Sequence, residues 1–353
     1  QPAIVQFYSN CMIPFIDKFT SKLVTEKVSI GLNIGVSTIK LAKLKFGRDK
    51  IELTGYAIEP NPLDPDETLR KLIQSQSIKS VGISVSGQQA IIRYIELPRM
   101  SPSELKQALK FEAQKHIPFP VAEVNLDGCI MKDNLPDNKM RVLLAAVKKE
   151  SIDQKLRQMR ALGIDVSLIE IDSVSLINAF NFSYTDDEDV KNKAVGLINI
   201  GSATSNLNIL EAGVPMLSRD IQIGGNHFTQ RIADVLGSDF KSAEALKMSG
   251  DKAQQDKVSG AVESVLAKLA QEIRTSFDYY ESRSVSSVEK IFISGGATLY
   301  EGFKDMLGGF LGLTVENWDP FKKIAIAEGL DAPRIHAVGS QLAVAIGLAL
   351  RGQ

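Results

Sequence analysis

The sequence predicts an α/β protein with two lobes of similar design. Three observations support this prediction: a glycine-containing segment that recurs once, apolar strands that end at glycine, and amphipathic helices between them. The chain has 353 residues, which is enough for two such lobes and too many for one small core. The recurring segment decides the fold, because a repeat at a fixed offset is the sequence signature of duplication.

Residues 31–41 and 197–207 form the repeat. They match at a constant offset of 166 residues, so that Asn33 corresponds to Asn199 and Gly35 to Gly201. The identical positions in the first copy are Asn33, Ile34, Gly35, Thr38 and Leu41. The same offset brings Gly47 onto Gly213, and each of these glycines ends the strand after its repeat. One glycine turn would be weak evidence, but this many matches at one offset indicate duplication.

Each copy has the pattern of a β-hairpin. An apolar run, at residues 28–32 or 194–198, predicts a buried strand. A turn of glycine and small hydroxylated residues follows, and a second strand leaves the turn. Such a turn exposes backbone N–H groups and hydroxyls, which are the groups that hold phosphate oxygens. The duplicated turns therefore predict a paired phosphate clamp.

Strands and helices after each hairpin complete the α/β pattern. Apolar strands at 79–86 and 290–294 run into glycine, as parallel strands that feed a loop do. Helices are predicted at 102–116, 150–162, 172–182, 258–280, 300–311 and 338–350. Ser101 or Ser103 is the expected N-cap of the first helix, and Gly163 ends the second. A polar loop at 132–139 is expected to join two strands, and an acidic exposed loop at 185–192 to separate the two halves.

Composition excludes several classes of function. The formal net charge of −1 is not that of a nucleic-acid-binding protein, so no nucleic acid is expected as a partner. Two cysteines are too few for a disulfide framework, which favours a reducing cytosol. The three histidines lie far apart in sequence, so a His/Cys metal site is not expected. No apolar stretch approaches the ~18 residues that a membrane span needs, and the first residues lack the basic region of a secretory signal.

These features resemble the actin superfamily, which includes sugar kinases, heat-shock chaperones, the division protein FtsA and the pilus protein PilM. The paired hairpins, the Gly295 and Gly296 pair and a small-residue helix near residue 350 carry the resemblance. Within the superfamily, residues 28–352 are most similar to the PilM type of type IV pilus assembly, a system of twitching motility. The most specific marker is the segment 111–119, a stretch of helix that leads into Ile-Pro-Phe.

The resemblance implies an actin-like two-lobed fold, built from duplicated ribonuclease H-like domains with a small inserted FtsA/PilM-type subdomain. It implies a first lobe at 28–97 and 142–185, the inserted subdomain at 98–141 and a second lobe at 186–353. Residues 1–27 are expected to form an N-terminal tail or a short helix packed on the body. A membrane-surface anchor is the alternative interpretation of this tail.

The resemblance also implies that ATP or ADP binds between the lobes, with Mg²⁺ beside the phosphates. Lys40 stands five residues after Gly35, the spacing at which actin places a phosphate-binding lysine. Glu244 and Lys247 resemble the E-x-x-K helix that lines the adenosine pocket in chaperones and FtsA. The residues expected to bind the nucleotide are Asn33, Gly35, Ser37, Thr38, Lys40, Asn199, Gly201, Ser202, Thr204, Gly224, Gly225, Glu244, Lys247, Gly295 and Gly296.

Two asparagines depart from the superfamily's pattern. Asn33 and Asn199 stand where related proteins have aspartates that hold Mg²⁺ through its waters. Mg²⁺ favours charged oxygen ligands, so these amides predict a weakened metal site and slow or absent ATP hydrolysis. Turn residues tolerated beside glycine are the alternative interpretation. Asp172, after the strand 166–171, either positions the attacking water or caps a helix, and the sequence does not separate these roles.

The expected partner is the cytoplasmic N-terminal peptide of a PilN-type inner-membrane protein. By resemblance the peptide lies beside the inserted subdomain, whose apolar residues exceed what a small unit can bury. The candidate contacts are Leu105, Leu109, Phe111, Ile117, Pro118 and Phe119. Packing of these side chains against the nucleotide-binding lobe is the alternative. The protein is expected to be cytoplasmic, with indirect membrane contact through this partner and with other pilus platform proteins bound.

Three functions are compatible with this resemblance. The first is a nucleotide-binding assembly scaffold, the second is an active ATPase, and the third is an FtsA-like filament protein at the membrane. The two asparagines favour the scaffold over the ATPase. The filament is disfavoured because no amphipathic membrane helix is expected after Arg351.

Overall fold

The computed structural model of the chain describes residues 27–249 and 254–352, so the predicted tail lies outside the described residues except for Lys27. In chain order, the elements are β1 (Lys27–Ile34), β2 (Thr38–Phe46), β3 (Ile51–Pro60), α1 (Asp66–Gln76), β4 (Ser80–Val85), β5 (Ala90–Pro98), α2 (Pro102–His116), β6 (Val124–Leu135), β7 (Lys139–Lys148), α3 (Lys149–Ala161), β8 (Asp165–Ile171), α4 (Asp172–Tyr184), β9 (Ala194–Ile200), β10 (Ser205–Glu211), β11 (Val214–Ile221), α5 (Gly225–Leu236), α6 (Phe240–Ser249), α7 (Gln255–Glu281), β12 (Val288–Ser294), α8 (Phe303–Leu311), β13 (Thr314–Asn317), β14 (Ala325–Ile326), α9 (Ala332–Val338) and α10 (Ala343–Arg351).

The first lobe is built on a sheet with the strand order β14-β3-β2-β1-β4-β8. Strands β1 to β3 form an antiparallel meander, and β4 and β8 continue the sheet in parallel. Apolar residues of α1 and α3 pack on one face, and those of α4 and α10 pack on the other. Because helices cover both faces, the central strands are apolar on both sides, as a parallel α/β sheet requires.

The second lobe repeats this succession of strands. Its sheet has the order β11-β10-β9-β12-β13, with an antiparallel meander from β9 to β11 followed by parallel β12 and β13. The register is duplicated as well: Asn33 pairs with Lys40 in the first hairpin, and Asn199 pairs with Asn206 in the second. The predicted duplication is therefore confirmed at the level of residue pairing.

A small subdomain is inserted between β4 and α3. Its sheet has the order β5-β7-β6 and carries α2 on one face. Helix α2 spans the predicted residues and begins with a capping box, in which Ser101 accepts from the Glu104 backbone and Glu104 accepts from Ser101. The strands of this unit span residues 90–148 and thus extend beyond the expected limits of 98–141.

Two of the predicted segments differ in the structure. The polar loop expected at 132–139 is mostly strand, because β6 continues to Leu135 and only residues 136–138 turn into β7. The last helix, expected to begin at 338, is interrupted by a 3-10 turn at Gly339–Leu342. There the Ser340 carbonyl accepts the Gly295 N–H at 3.0 Å, so this backbone group binds the second lobe.

The segment from β14 to α10, expected in the second lobe, returns to the first sheet. Strand β14 pairs with β3, and α10 packs between β1 and α4. Gly31 and Gly347 allow this approach, because a Cβ on either would collide with the backbone oxygen of Ala345 or Ser175, respectively. Among the described residues, Ala332–Arg351 has the length and hydropathy of a membrane span. However, 61% of this segment is buried inside the protein, which is typical of a core helix.

An aromatic cluster joins the two lobes. Phe180 of α4 lies 5.0 Å from Phe292 of β12 between ring centroids, and 5.4 Å from Trp318 in an edge-on contact. All three side chains are buried. Aromatic pairs of this geometry add to the hydrophobic gain of burial, so the cluster fixes the lobes to each other behind the cleft.

Candidate functional site

The two repeated turns have the same backbone geometry. The N–H of Gly35 donates to the carbonyl of Thr38 at 3.0 Å, and the N–H of Gly201 donates to the carbonyl of Thr204 at 3.0 Å. A Cβ atom would lie 3.1 Å from that carbonyl oxygen at Gly35 and 3.0 Å at Gly201, which is tighter than ordinary van der Waals contact. The close approach of the backbone therefore favours glycine at both turns, because a Cβ would force the threonine carbonyl to shift.

Both turns open on one cavity between the lobes, with a volume of about 330 Å³. The first lobe contributes residues of the β1–β2 turn, the segment after β4 and the start of α4, and the second contributes the β9–β10 turn and β11. The predicted site residues that line it are Asn33, Gly35, Lys40, Asp172, Asn199, Gly201, Ser202 and Thr204. The cavity lies in the size range of small-molecule sites in proteins.

Lys40 brings a cation to the first turn. A Cβ atom added to Gly35 would lie 3.1 Å from Lys40 Nζ, so the ammonium group lies over the glycine. Burial lowers the pKa of Lys40, and the nearby Asp172 carboxylate opposes this shift. Among the described residues Lys40 forms no ion pair within salt-bridge distance. A buried cation without a close anion is the electrostatic setting of an anion site.

Asn33 uses the NH2 group of its side chain to bind Ser84 and the Asp172 carboxylate. Its Nδ2 donates to Ser84 Oγ at 2.9 Å and to Asp172 Oδ1 at 3.3 Å. Burial raises the pKa of Asp172, while hydrogen bonds from Ser84 and the charge of Lys155 oppose the rise. Asp172 is the first residue of α4, and the N-cap position before it is occupied by Ile171. The capping role considered for Asp172 is therefore not the one that the structure shows.

The second lobe has a polar pair in place of the lysine. Asn206, which occupies the position that Lys40 has in the first hairpin, donates to Asp220 Oδ1 at 2.7 Å. Burial raises the pKa of Asp220, and this hydrogen bond opposes the rise. Asn199 Oδ1 accepts from Ser294 Oγ at 3.2 Å. Asn33 is thus held through its Nδ2 and Asn199 through its Oδ1. The described part of the chain has no cluster of three or more His, Cys, Asp or Glu residues that could hold a metal.

Two glycine pairs lie against the second turn. Gly225 N–H donates to the Gly201 carbonyl at 2.8 Å, and Asn226 N–H donates to the Ser202 carbonyl at 2.7 Å. A Cβ on Gly224 would be 2.7 Å from the Gly201 oxygen. Gly295 has φ +99°, and a Cβ there would collide with the Ile200 backbone, while Gly296 faces Gln341. These glycines therefore allow α5 and β12 to reach the turn.

Helix α6, which carries Glu244 and Lys247, lies beside the Gly224–Gly225 pair. Lys247 Nζ is buried and donates to Glu244 Oε2 at 2.6 Å and to Thr229 Oγ1 at 2.8 Å. Thr229 Oγ1 is also within hydrogen-bond distance of Glu244 and of the Gly225 carbonyl, and its single proton is donated to one of these two acceptors. The network fixes α6 to the first turn of α5, so Glu244 and Lys247 lie near Gly225 and are not among the residues that line the cavity.

Several polar residues at the site were missed by the sequence reasoning. Lys155 of α3 and Asp220 of β11 act on the Asp172 charge, and Ser84 bonds Asn33. Asn61 holds the first turn from behind, where its Nδ2 donates to the Gly35 carbonyl and its N–H to the Ser37 carbonyl. Thus Ser37 contributes its carbonyl to the turn's support. Of these residues, only Asp220 could have been found from the sequence, because it lies one short turn before the Gly224–Gly225 pair.

The candidate partner residues do not share one exposed surface. Leu105, Leu109 and Ile117 are buried in the core of the small subdomain, contrary to the expected surplus of apolar surface. They lie at helical spacing on one face of α2, so the β5-β7-β6 sheet covers them. Phe111, on the opposite face, is 72% exposed. Pro118 is exposed, and Phe119 is half-buried with Lys148 Nζ 4.8 Å from its ring centre.

Comparison with known proteins assigns the chain to a family. The family model for type IV pilus assembly protein PilM matches residues 31–353. The chain is similar to the solved structure of a PilM-PilN type IV pilus biogenesis complex, with a TM-score of 0.83, 24% sequence identity and coverage of 92% of this chain and 98% of that chain. The ethanolamine utilization protein EutJ from Carboxydothermus hydrogenoformans has a TM-score of 0.55 at 13% identity, over 95% of this chain and 94% of its own.

A curated relative matches a shorter segment. The chaperone protein dnaK3 of Thermosynechococcus vestitus (strain NIES-2133 / IAM M-273 / BP-1) is 30% identical over 87 residues, which make up 23% of this chain. The match spans 13% of that chaperone's length. The likenesses over the whole chain confirm the actin-like two-lobed fold predicted from the repeated hairpins.

Proposed function

The chain belongs to the PilM family of type IV pilus assembly proteins, and from this premise we propose that it is a nucleotide-binding scaffold of the pilus assembly platform. It binds ATP or ADP between its lobes and captures the cytoplasmic N-terminal peptide of a PilN-type membrane protein. It hydrolyses ATP slowly or not at all. The output of the protein is then the assembly of partners, with the nucleotide as a structural ligand.

The duplicated turn carries the nucleotide proposal. Both turns hold the same Gly-to-Thr backbone bond, and both line one cavity with Lys40 at its first-lobe side. Turn N–H groups and a lysine are the usual holders of phosphate oxygens. Among the described residues buried Lys40 has no anion within salt-bridge distance, and a polyphosphate would supply one and offset the desolvation that lowers its pKa. The Glu244–Lys247 network beside Gly225 would then flank the nucleoside.

The Asn33–Asp172 contact supports slow hydrolysis. Because the Asn33 amide donates to Asp172, the pair offers a metal one carboxylate where two would be expected. Mg²⁺ bound with the nucleotide would neutralise charge on the phosphates. Phosphoryl transfer depends on positioning and charge stabilisation, so loss of the metal-holding carboxylates affects turnover more than binding. Asp172 remains the residue that would orient a water.

Exposed residues at the end of α2 support the partner proposal. Phe111 is exposed, and Pro118 and Phe119 extend the same chain segment toward Lys148. Aromatic side chains and a rigid proline form a suitable wall for a captured peptide segment. Leu105, Leu109 and Ile117 act behind this wall as its buried support. The protein is then cytoplasmic, and the anchor of its PilN-type partner holds it and other platform proteins at the inner membrane.

Two titrations test the proposal. Calorimetry with ATP and ADP is expected to give one site per chain, and loss of heat in a Gly35→Asp variant that remains folded. Fluorescence anisotropy with a labelled N-terminal peptide of the PilN-type protein is expected to show binding that Phe111→Ser and Phe119→Asp weaken. Phe310→Asp is the matched control, because Phe310 is 45% exposed on α8 in the second lobe.

Each arm can fail separately. If both phenylalanine variants fold and bind the peptide as the parent does, the peptide site is elsewhere. If Phe310→Asp weakens binding equally, the effect is not specific to α2. Absence of ATP or ADP binding to the folded parent would remove the nucleotide from the proposal without affecting the proposed binding of the partner peptide.

A further inference from the structure

A second cleft lies between the small subdomain and the second lobe, with a volume of about 510 Å³. Its walls are β5, residues 216–218 of β11 and residues 279–284 at the end of α7. It shares Ile92, Arg93 and Ser218 with the cavity between the phosphate turns. The two spaces are therefore neighbours that meet at Arg93.

The cleft has an excess of positive charge. Arg93, Arg141 and Arg283 line it, and Glu96 is the carboxylate among the lining residues. Arg141 Nη2 binds Glu96 at 3.2 Å. Within the described ranges, Arg93 and Arg283 form no ion pair; Arg93 donates to the Ile92 carbonyl, and Arg283 lies 4.4 Å from the ring centre of Tyr279. Two guanidinium groups thus lack an anion.

Two sheet edges face each other across the cleft. Strand β5 is an outer strand of the small sheet, and β11 is an outer strand of the second lobe's sheet. In the part of the chain that the structure describes, these strands do not pair, and a contact of 3.2 Å between Tyr94 Oη and Ser218 Oγ bridges them. Edge strands present unpaired N–H and C=O groups, which bind extended segments of other chains.

Apolar and aromatic surface completes the cleft. Met216 and Leu217 are partly buried, and the Tyr279 ring is 48% exposed beside Arg283. Arginine and tyrosine are the residue types that dominate binding at protein interfaces. A ligand with carboxylates and apolar side chains in alternation would match both features, because successive side chains of an extended segment point to opposite faces.

We propose that this cleft binds an extended acidic segment of a partner protein. Its carboxylates pair with Arg93 and Arg283, and its apolar side chains lie against Tyr279 and Met216. This binding surface is additional to the one proposed for the PilN-type peptide, and its charge selects an acidic sequence. Because Arg93 also lines the phosphate-side cavity, the acidic segment and an anion in that cavity compete for one guanidinium group.

The test uses the full chain and a defined probe, a fluorescein-labelled peptide in which glutamate alternates with valine. In anisotropy titrations at low salt it is expected to bind about tenfold more tightly than the same peptide with glutamine in place of glutamate. Arg283→Glu together with Arg93→Glu is expected to abolish this preference. Arg70→Glu is the matched control, since Arg70 is an exposed arginine on α1 that lies outside the cleft.

Several results would overturn the proposal. One is equal affinity for the glutamate and glutamine peptides. Another is an undiminished preference in the folded double variant, with folding checked by its thermal midpoint. A third is an equal loss in Arg70→Glu. Tighter binding of a labelled single-stranded oligonucleotide than of the acidic peptide would assign the cations to nucleic acid and contradict the peptide assignment.

Discussion

Replacement of Gly35 by aspartate is the sharpest perturbation of the phosphate clamp. A Cβ at this position lies 3.1 Å from Lys40 Nζ, so a carboxylate attached to it reaches the ammonium group directly. The new ion pair removes a charge-assisted hydrogen bond from the phosphate, worth about 1.5–3 kcal/mol. Repulsion between the carboxylate and the phosphates adds to this loss. The expected weakening of ATP binding is about 3 kcal/mol, or roughly a hundredfold.

Two control variants separate the effect of the added charge from the effects of side-chain volume and of position in the chain. Gly35→Ala adds the same Cβ without charge, and its tight contact with the Thr38 carbonyl predicts a smaller loss than that of the aspartate. Gly47→Asp makes the same change at the other end of β2, where a Cβ would meet the Lys50 carbonyl at 3.2 Å. Calorimetry and thermal unfolding are measured on all three. A folded Gly35→Asp protein that binds ATP as the parent does would refute the placement of the phosphates.

Three further predictions concern the polar residues of the cleft. Lys40→Met is expected to raise the thermal midpoint of the nucleotide-free protein, because burial of the charge lowers the pKa of Lys40 and so costs stability. The same variant is expected to weaken ATP binding by about 1.5–3 kcal/mol, because a charge-assisted hydrogen bond to the phosphates is lost. A lower thermal midpoint would contradict the first expectation. Asn33→Asp with Asn199→Asp is expected to raise Mg²⁺-dependent phosphate release, and parent turnover already at ~1 per second or more would argue against it. Burial raises the pKa of Asp172, so the folded state retains its proton to a higher pH than the unfolded chain, and this carboxyl lowers the free energy of unfolding as pH rises above about 4. Asp172→Asn should therefore be more stable than the parent at neutral pH in urea titrations and equal to it in acid; a less stable variant at neutral pH would refute this.

The hairpins and their glycines could be predicted because their information is local. Each turn favours glycine where its backbone meets a threonine carbonyl three residues later, and the duplication repeats this feature in the second lobe. Helix α2 was predicted for the same reason, since its cap and apolar stripe lie in adjacent residues. The pairing of Asn33 with Lys40 follows directly from the short turn between β1 and β2.

Contacts between distant segments could not be predicted in this way. Lys155 reaches the Asp172 charge only because α3 packs beside β8, and no motif surrounds it. Asp220 reaches Asn206 through the register of β10 with β11, which a bulge near Leu210 shifts. The return of α10 to the first lobe depends on backbone contacts at Gly31 and Gly347.

The burial of Leu105, Leu109 and Ile117 differs from the expectation for another reason. Leu105, Leu109 and Ile117 follow one helical stripe, which in itself indicates a core-facing surface. Phe111 lies outside that stripe, and its exposure is the informative feature. Counting these residues together suggested a surplus of apolar surface that the three-stranded sheet in fact covers. The position of each residue on the helix separates the two groups, since the buried ones share a stripe from which Phe111 is absent.

Two duplicated turns are proposed to hold a nucleotide between the lobes. A crystal structure of the full chain with a non-hydrolysable ATP analogue and Mg²⁺ tests this proposal most directly. Phosphate oxygens are expected to be bound by backbone N–H groups of the turns at Gly35 and Gly201, with Lys40 Nζ in contact and the nucleoside near Glu244 and Lys247. An analogue bound away from these turns, or an empty cleft at saturating concentration, would contradict it.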